Sequence, residues 1–342
     1  MTESTPGDRL EPRWDRRPPA TLSLDLDDKW AFMKTRADPR WTTFPSYLGV
    51  VTPRILEILA VHHLRITFFI VGQDAAITSH REVLTSIAEA GHEIANHSFH
   101  HEAWFHLRPE DHIDREIALA EEHIEAATGR RPVGYRGPAY GVSEATLRVL
   151  TARRYRYDAS TLPTFIGPLA RAFLLRATNL TPEEKAERAA LLGGVRDVLR
   201  TITAYGWDLD DGQLLEIPVT TMPFVRLPFH FNYVLYLAGY SRRLARLYFH
   251  AALHACRATG VAPSLLLGPL DFVGREEEAD LAWCPGMNLP ARYKLAILHD
   301  MLAMATRHFS FMPMLTYAER VAASDRLRSI VPRFSRSKEL PA

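Results

Sequence analysis

Residues 21–27, TLSLDLD, alternate strictly. Thr21, Ser23, Asp25 and Asp27 face one way, and Leu22, Leu24 and Leu26 the other. That period of two predicts a strand with one polar face ending in acid. The pattern then lengthens. TPRILEILAVHHL (52–64) has helical spacing, with Pro53 suited to a first turn, and RITFFIVG (65–72) is an apolar, β-rich run closed by glycine. SHREVLTSIAEAGH (79–92) predicts a second helix stopped at Gly91, with EIANHS following as a strand. A third amphipathic helix is expected over 108–130. PVGYRGP (132–138), SEATLRVLTARR (143–154) and YRYDAS (155–160) continue the alternation.

From about 162 to 212 the alternation breaks into Arg- and Leu-rich helical sequence, with TPEE a good helix start, and an insertion is expected there. LLEIPVT (214–220) resumes as strand, 240–260 as helix, PSLLLGPLDFVG (263–274) as buried strand and 291–309 as the last long helix. Strand and helix in this order imply a parallel sheet, and the repeated units favour a distorted (β/α) barrel, an α/β fold. In such barrels chemistry collects at the C-terminal strand ends. Here those ends carry Asp25 and Asp27, then His97, Arg136 and Asp158.

Bulk properties narrow the classes. With 41 basic and 40 acidic residues the balance is +1, which offers nothing to a nucleic acid. Cys256 and Cys284 lack a CxxC spacing and are expected as buried thiols in a reducing compartment rather than a disulfide. Residues 1–20 hold four basic residues, four acidic residues and four prolines, and no apolar core, so they predict a flexible tail and no secretory signal. No run reaches the roughly 20 apolar residues a membrane-spanning helix needs. The chain is expected in the cytoplasm, free or peripheral at a membrane. Residues 323–342, with RLRSIVPRFSRSKEL carrying five basic residues, are expected to form a frayed basic tail.

HSFHH (97–101) places His97 and His101 four apart. Two imidazoles do not make a catalytic metal site, which needs a third protein ligand and an open position. The question is whether the chain supplies a carboxylate. LDLDD, NHSFHH, YRGPAYG and YRYDAS, in that order and spacing, resemble four of the five motifs of the polysaccharide deacetylase (NodB-homology, carbohydrate esterase family 4-like) family. The resemblance covers roughly 21–160 and, more weakly, 213–320. It implies a deacetylase-like barrel over 21–322 and a metal-dependent removal of acetyl or formyl groups from amino sugars.

Carried over residue by residue, the resemblance implies Asp25 as general base and Asp27, His97 and His101 as ligands of one divalent ion, zinc by its donor set. The family's alternative spacing would move base and ligand to Asp27 and Asp28, but the strand alternation favours Asp25 and Asp27. Arg136 would orient the base, Tyr140 would give a backbone amide to the oxyanion and a wall to the groove, and Asp158 would orient a histidine of the fifth motif or cap the loop after its strand. His100 matches no ligand position, and His62, His63 and His92 are expected at the surface. The fifth motif departs from the family: SLLLGPL puts Gly268 where the acid histidine belongs. His299 reads as an ordinary helix residue, and His230, His250 and His254 are candidates to approach from elsewhere. FVRLPFHFNYVLYLAGYSRRLARLYFHAAL (224–253) interleaves aromatics, Leu and Arg, as an interfacial helix or one packed on the barrel. The expected substrate is an N-acyl amino sugar, free or polyprenyl-phosphate-linked. The alternatives are a C–N hydrolase for a small non-sugar amide and a catalytically silent metal- or glycan-binding protein.

Overall fold

The computed structural model describes residues 17–165, 200–210, 212–324, 327–332 and 334. The strands are β1 (Pro19–Leu26), β2 (Thr67–Ile70), β3 (Glu93–Asn96), β4 (Gly134–Tyr135), β5 (Tyr157–Asp158), β6 (Tyr205–Leu209), β7 (Gly212–Glu216), β8 (Ser264–Leu267), β9 (Ser310–Met312) and β10 (Ser329–Ile330). Around them run helices α1 (Lys29–Arg36), α2 (Leu48–Val61), α3 (Gly72–Ala76), α4 (Arg81–Glu89), α5 (Glu110–Thr128), α6 (Glu144–Ala152), α7 (Phe231–Ala238), α8 (Arg242–Thr259), α9 (Ala291–His308) and α10 (Met314–Ala322).

The sheet order is β10-β6-β7-β5-β4-β3-β2-β1-β8, with β9 also on β1. Among the described strands every pairing is parallel except the β6–β7 hairpin. Among the described residues the strand ladder does not close into a ring. Beyond β7, however, the Thr220 N–H donates to the Ser264 carbonyl at 3.0 Å, and the Ser264 N–H donates to Thr220 Oγ1 at 2.8 Å. These bonds join the β7 side of the sheet to the β8 edge. The result is a distorted barrel whose weak seam lies between β7 and β8.

β1 is the centre of the architecture because both its faces are buried. Leu22, Leu24 and Leu26 are fully enclosed with the surrounding helices in the largest apolar cluster. The polar face, expected from the alternation, points into the barrel: Ser23 is fully buried and bonds Arg136. Helix stops follow sequence too, with Gly91, Gly129 and Gly260 in the left-handed region at φ 79°, 67° and 70°.

Some expectations change. Most of the insertion expected over 162–212 lies outside the described residues, but its described end is strand β6. Trp207 of β6 is buried and its indole N–H donates to Glu216 Oε2 at 3.0 Å. The frayed tail is corrected in part, because Ser329–Ile330 pair with β6 and Phe334 packs on Trp207. The strand expected over 263–274 ends at Leu267, where Gly268 and Pro269 lead into a 3-10 turn. Cys256 and Cys284 are free, buried thiols, each pushed up to about 12 by burial. Among the described residues no helix is long and apolar enough to cross a membrane. α7 and α8 pack on the barrel through Phe231, Val234, Leu235, Phe249 and Leu253, all buried.

Candidate active site

The C-terminal ends of β1, β3, β4 and β8 open on a cavity of about 280 Å³, lined among others by Asp25, Asp27, His97, His101, Tyr140 and His230. The parallel register brings them together. Asp25 pairs with Phe69, Arg136 follows β4 and donates its backbone N–H to the Asn96 carbonyl, and His97 follows β3 with its N–H on the Ile70 carbonyl.

Asp27 Oδ1 stands 3.4 Å from His97 Nε2 and 3.1 Å from His101 Nε2. Neither approach has the direction of a hydrogen bond, and that oxygen is buried with no donor. One ligand atom from each of the three side chains lies within 4.8 Å of the other two. His97 Nδ1 is 2.6 Å from the Arg136 carbonyl. A carbonyl only accepts, so Nδ1 carries the proton and Nε2 keeps its lone pair for the cavity, as a metal-ligating imidazole requires. Burial alone would raise the Asp27 carboxyl, but the neighbouring His101 and His97 imidazoles hold it well below its usual range. The trio therefore presents an ionised carboxylate and two imidazole nitrogens, a donor set that fits a divalent ion.

The loop carrying the histidines needs help to hold its shape, since Ser98 and His101 both have positive φ, 63° and 52°. Asn96 Oδ1 accepts from the Ser98 N–H at 2.8 Å. Glu116, buried on α5, accepts from the Phe99 and His100 N–H groups at 3.1 and 2.6 Å through Oε1, and its Oε2 is 2.7 Å from His100 Nδ1. Sequence reasoning missed Glu116. His100 thus braces the loop rather than ligating.

Arg136 is fully buried beneath the site. Its Nη1 donates to Asp25 Oδ1 at 2.6 Å and to Ser23 Oγ at 3.0 Å, its Nε to the Ala159 carbonyl at 2.9 Å, and its guanidinium sits 4.1 Å from the Phe69 ring centroid. A charge so enclosed is tolerable only with such partners, and together they fix the Asp25 carboxylate at the cavity edge. Gly137 must be glycine: a Cβ there would come within 2.1 Å of the Gly141 carbonyl.

Three placements differ from expectation. The Tyr140 N–H donates to the Gly137 carbonyl at 3.0 Å within the turn, so Tyr140 enters the cavity as a wall rather than with a free amide. Asp158 does not line the cavity. It accepts from the Ser160 hydroxyl, which in turn accepts from the Gly137 N–H at 2.8 Å, so Asp158 braces the turn after Arg136. Burial and the Glu216 carboxylate beside it push Asp158 well up. Asp28, the alternative ligand, does not line the cavity: it caps α1 and accepts from the Lys29 and Tyr47 N–H groups at 2.7 and 3.0 Å. His92, expected at the surface, is buried and accepts the Ile66 N–H.

His230 is the histidine that joins the site. It precedes α7, is buried, and its Nδ1 has no hydrogen-bond partner. Burial, then the Arg136 charge, pushes it down to about 3, so it stands neutral. Gly268 lines the same cavity with open space where a side chain would go. His250 and His254 do not reach it, and His299 pairs with His62 at 2.9 Å on the helical layer.

Residues 33–157 match the family model described as polysaccharide deacetylase. The chain is 29% identical over 177 residues to a peptidoglycan deacetylase of Helicobacter pylori, covering 49% of this chain and 56% of that one. It is 33% identical over 91 residues to a chitooligosaccharide deacetylase of Rhizobium leguminosarum bv. phaseoli, covering 27% and 39%. The chain spans about half the length of the first curated relatives it matches. A solved structure from Mycobacterium smegmatis, described as of the polysaccharide deacetylase type, superposes with a TM-score of 0.62 at 23% identity, covering 97% of this chain and 99% of that one, which establishes the shared fold. Residues 33–157 are thus similar to the polysaccharide deacetylase family, and the fold shared with the Mycobacterium smegmatis structure extends along nearly the whole chain.

Proposed function

We propose that the chain is a metal-dependent hydrolase that removes an N-acyl group from an amino sugar. The observation that carries this reading is the convergence of Asp27 Oδ1, His97 Nε2 and His101 Nε2 beside an Asp25 carboxylate held by Arg136. Asp27, His97 and His101 would hold one divalent ion, zinc by the donor set, which supplies Lewis acidity toward the acyl oxygen and toward water. The relatives named above are deacetylases of peptidoglycan and chitooligosaccharide, which supports an amino-sugar substrate here.

The chain's own residues then divide the remaining work. Asp25 takes the proton of the attacking water. As the C–N bond breaks, the same carboxyl returns that proton to the departing nitrogen, so hydrolysis balances without a second acid. Arg136 aims the Asp25 carboxylate through its 2.6 Å hydrogen bond. Tyr140 and the apolar side chains Phe32, Leu235, Leu267 and Trp283 wall a cavity suited to one sugar unit and a short acyl group. Neutral His230 offers a hydrogen bond to substrate rather than a proton.

Exposed Tyr236 on α7, Tyr240 in the turn after it, and Leu244 and Leu247 on α8, near Arg243 and Arg246, support a lipid-linked substrate presented at a membrane surface. Gly268 in place of the fifth-motif histidine favours the second reading, a silent glycan-binding protein. Acetate and formate release over a panel of chitooligosaccharides, muropeptides, polyprenyl-linked amino sugars and small cyclic amides tests both. Release from the amino sugars supports the hydrolase, and release from lipid-linked forms alone supports the surface reading. Release from cyclic amides alone moves the substrate class, and glycan binding without any release supports the silent reading.

A further inference from the structure

Three histidines outside the cavity form a second cluster. His250 and His254 stand four apart on α8 and so share one face of that helix. Their Nε2 atoms are 3.1 Å apart. His308, the last residue of α9, closes the triangle, its ring centroid 4.8 Å from that of His254 and 5.8 Å from that of His250. One ligand nitrogen from each of the three lies within 4.8 Å of the others. Nδ1 of His308 is buried without a hydrogen-bond partner, an unmatched polar atom at a packed helix end.

We infer that His250, His254 and His308 form a second divalent-metal site, of the zinc class, that clasps the end of α9 to the face of α8. The spacing fits: zinc–nitrogen bonds of about 2.0–2.1 Å put two ligands of a tetrahedral ion about 3.3 Å apart. An imidazole-only donor set selects zinc, copper, nickel or cobalt over magnesium and calcium. Arg257 and Arg307 lie close enough to His308 to act on it electrostatically. The same arginines oppose a cation, so the site binds more weakly than one holding a carboxylate. A bare hydrogen bond between two imidazoles would account for the His250–His254 approach but not for the arrival of His308 from another helix. Because the ligands come from two helices, the ion binds the folded chain alone and stabilises it by mass action.

The test is independent of the catalytic reading, because the full chain is studied with His97→Ala and His101→Ala removing the other candidate ligands. This variant should retain one zinc per chain, and its Tm should rise with zinc but not with magnesium. Adding His254→Ala or His308→Gln should abolish both effects. A background variant that binds no zinc, or a Tm rise that survives His254→Ala, overturns the second site. Calorimetric zinc titration of the unmodified chain gives a check that needs no active-site substitution. Two sites falling to one in His254→Ala supports the inference, and an unchanged count refutes it.

Discussion

Replacing Glu116 by alanine tests whether a carboxylate on α5 sets the geometry of the metal loop. In the native structure its two oxygens meet the Phe99 and His100 N–H groups and the His100 ring at 2.6–3.1 Å. Alanine leaves two backbone donors without an acceptor at a buried loop, each worth about 1–3 kcal/mol, so the fold should lose roughly 2–6 kcal/mol. The loss falls on a segment already strained by positive φ at Ser98 and His101. His101 should then lose its aim, and removing such an outer brace typically costs about 10–100-fold in metal affinity. Glu116→Gln keeps one acceptor oxygen for both N–H groups and should recover most of the affinity. Urea unfolding and zinc competition with a chromophoric chelator read the two effects. A Glu116→Ala protein that binds zinc within about threefold of wild type would refute the bracing role.

Other expectations can be checked alongside. Folded His92 sits at about 4 against an ordinary 6.5, chiefly through burial and then Arg65. The unfolded chain therefore binds the extra proton between those values, and stability falls as pH drops from 6.5 toward 4. His92→Gln should cut proton uptake on unfolding near pH 5 by nearly one, and an unchanged slope of stability against pH contradicts this. Gly268 has extended backbone and open space, so Gly268→His should fold normally and raise kcat about tenfold or more if a proton donor is what the site lacks. No gain would mean that Asp25 already returns the proton. Asp28→Asn should keep its zinc while losing about 1–3 kcal/mol of stability, because Asp28 caps α1 rather than facing His97; metal loss in that variant would reverse the assignment of the two aspartates.

The legible parts of this protein were those written in local periodicity or motif order. The alternation of 21–27 predicted β1 and put Asp25 on its inner face, and glycines marked the helix stops at 91, 129 and 260. Hydrogen bonds between distant segments left no such trace. Glu116 looks like any acid on an amphipathic helix until the fold places it against Phe99 and His100. His230 follows an irregular bridge between Thr221 and Pro228, and no spacing links it to Arg136. Asp158 matched a motif, yet its hydroxyl partner two residues on diverts it to the turn at Gly137. The β6 strand and the β10 strand were hidden for another reason: β6 is the first arm of a hairpin with β7, and the two-residue β10 exists only by pairing on β6 from far along the chain.

The central claim is that Asp27, His97 and His101 hold an ion that Asp25 works beside without ligating. Metal content and acyl release, measured on the same preparations of Asp25→Asn and Asp27→Asn in the His254→Ala background, test it most directly. The account predicts that Asp25→Asn keeps one zinc per chain and loses turnover by on the order of 10²–10⁴, whereas Asp27→Asn loses both. Full zinc occupancy in Asp27→Asn, or zinc lost from Asp25→Asn, would contradict it.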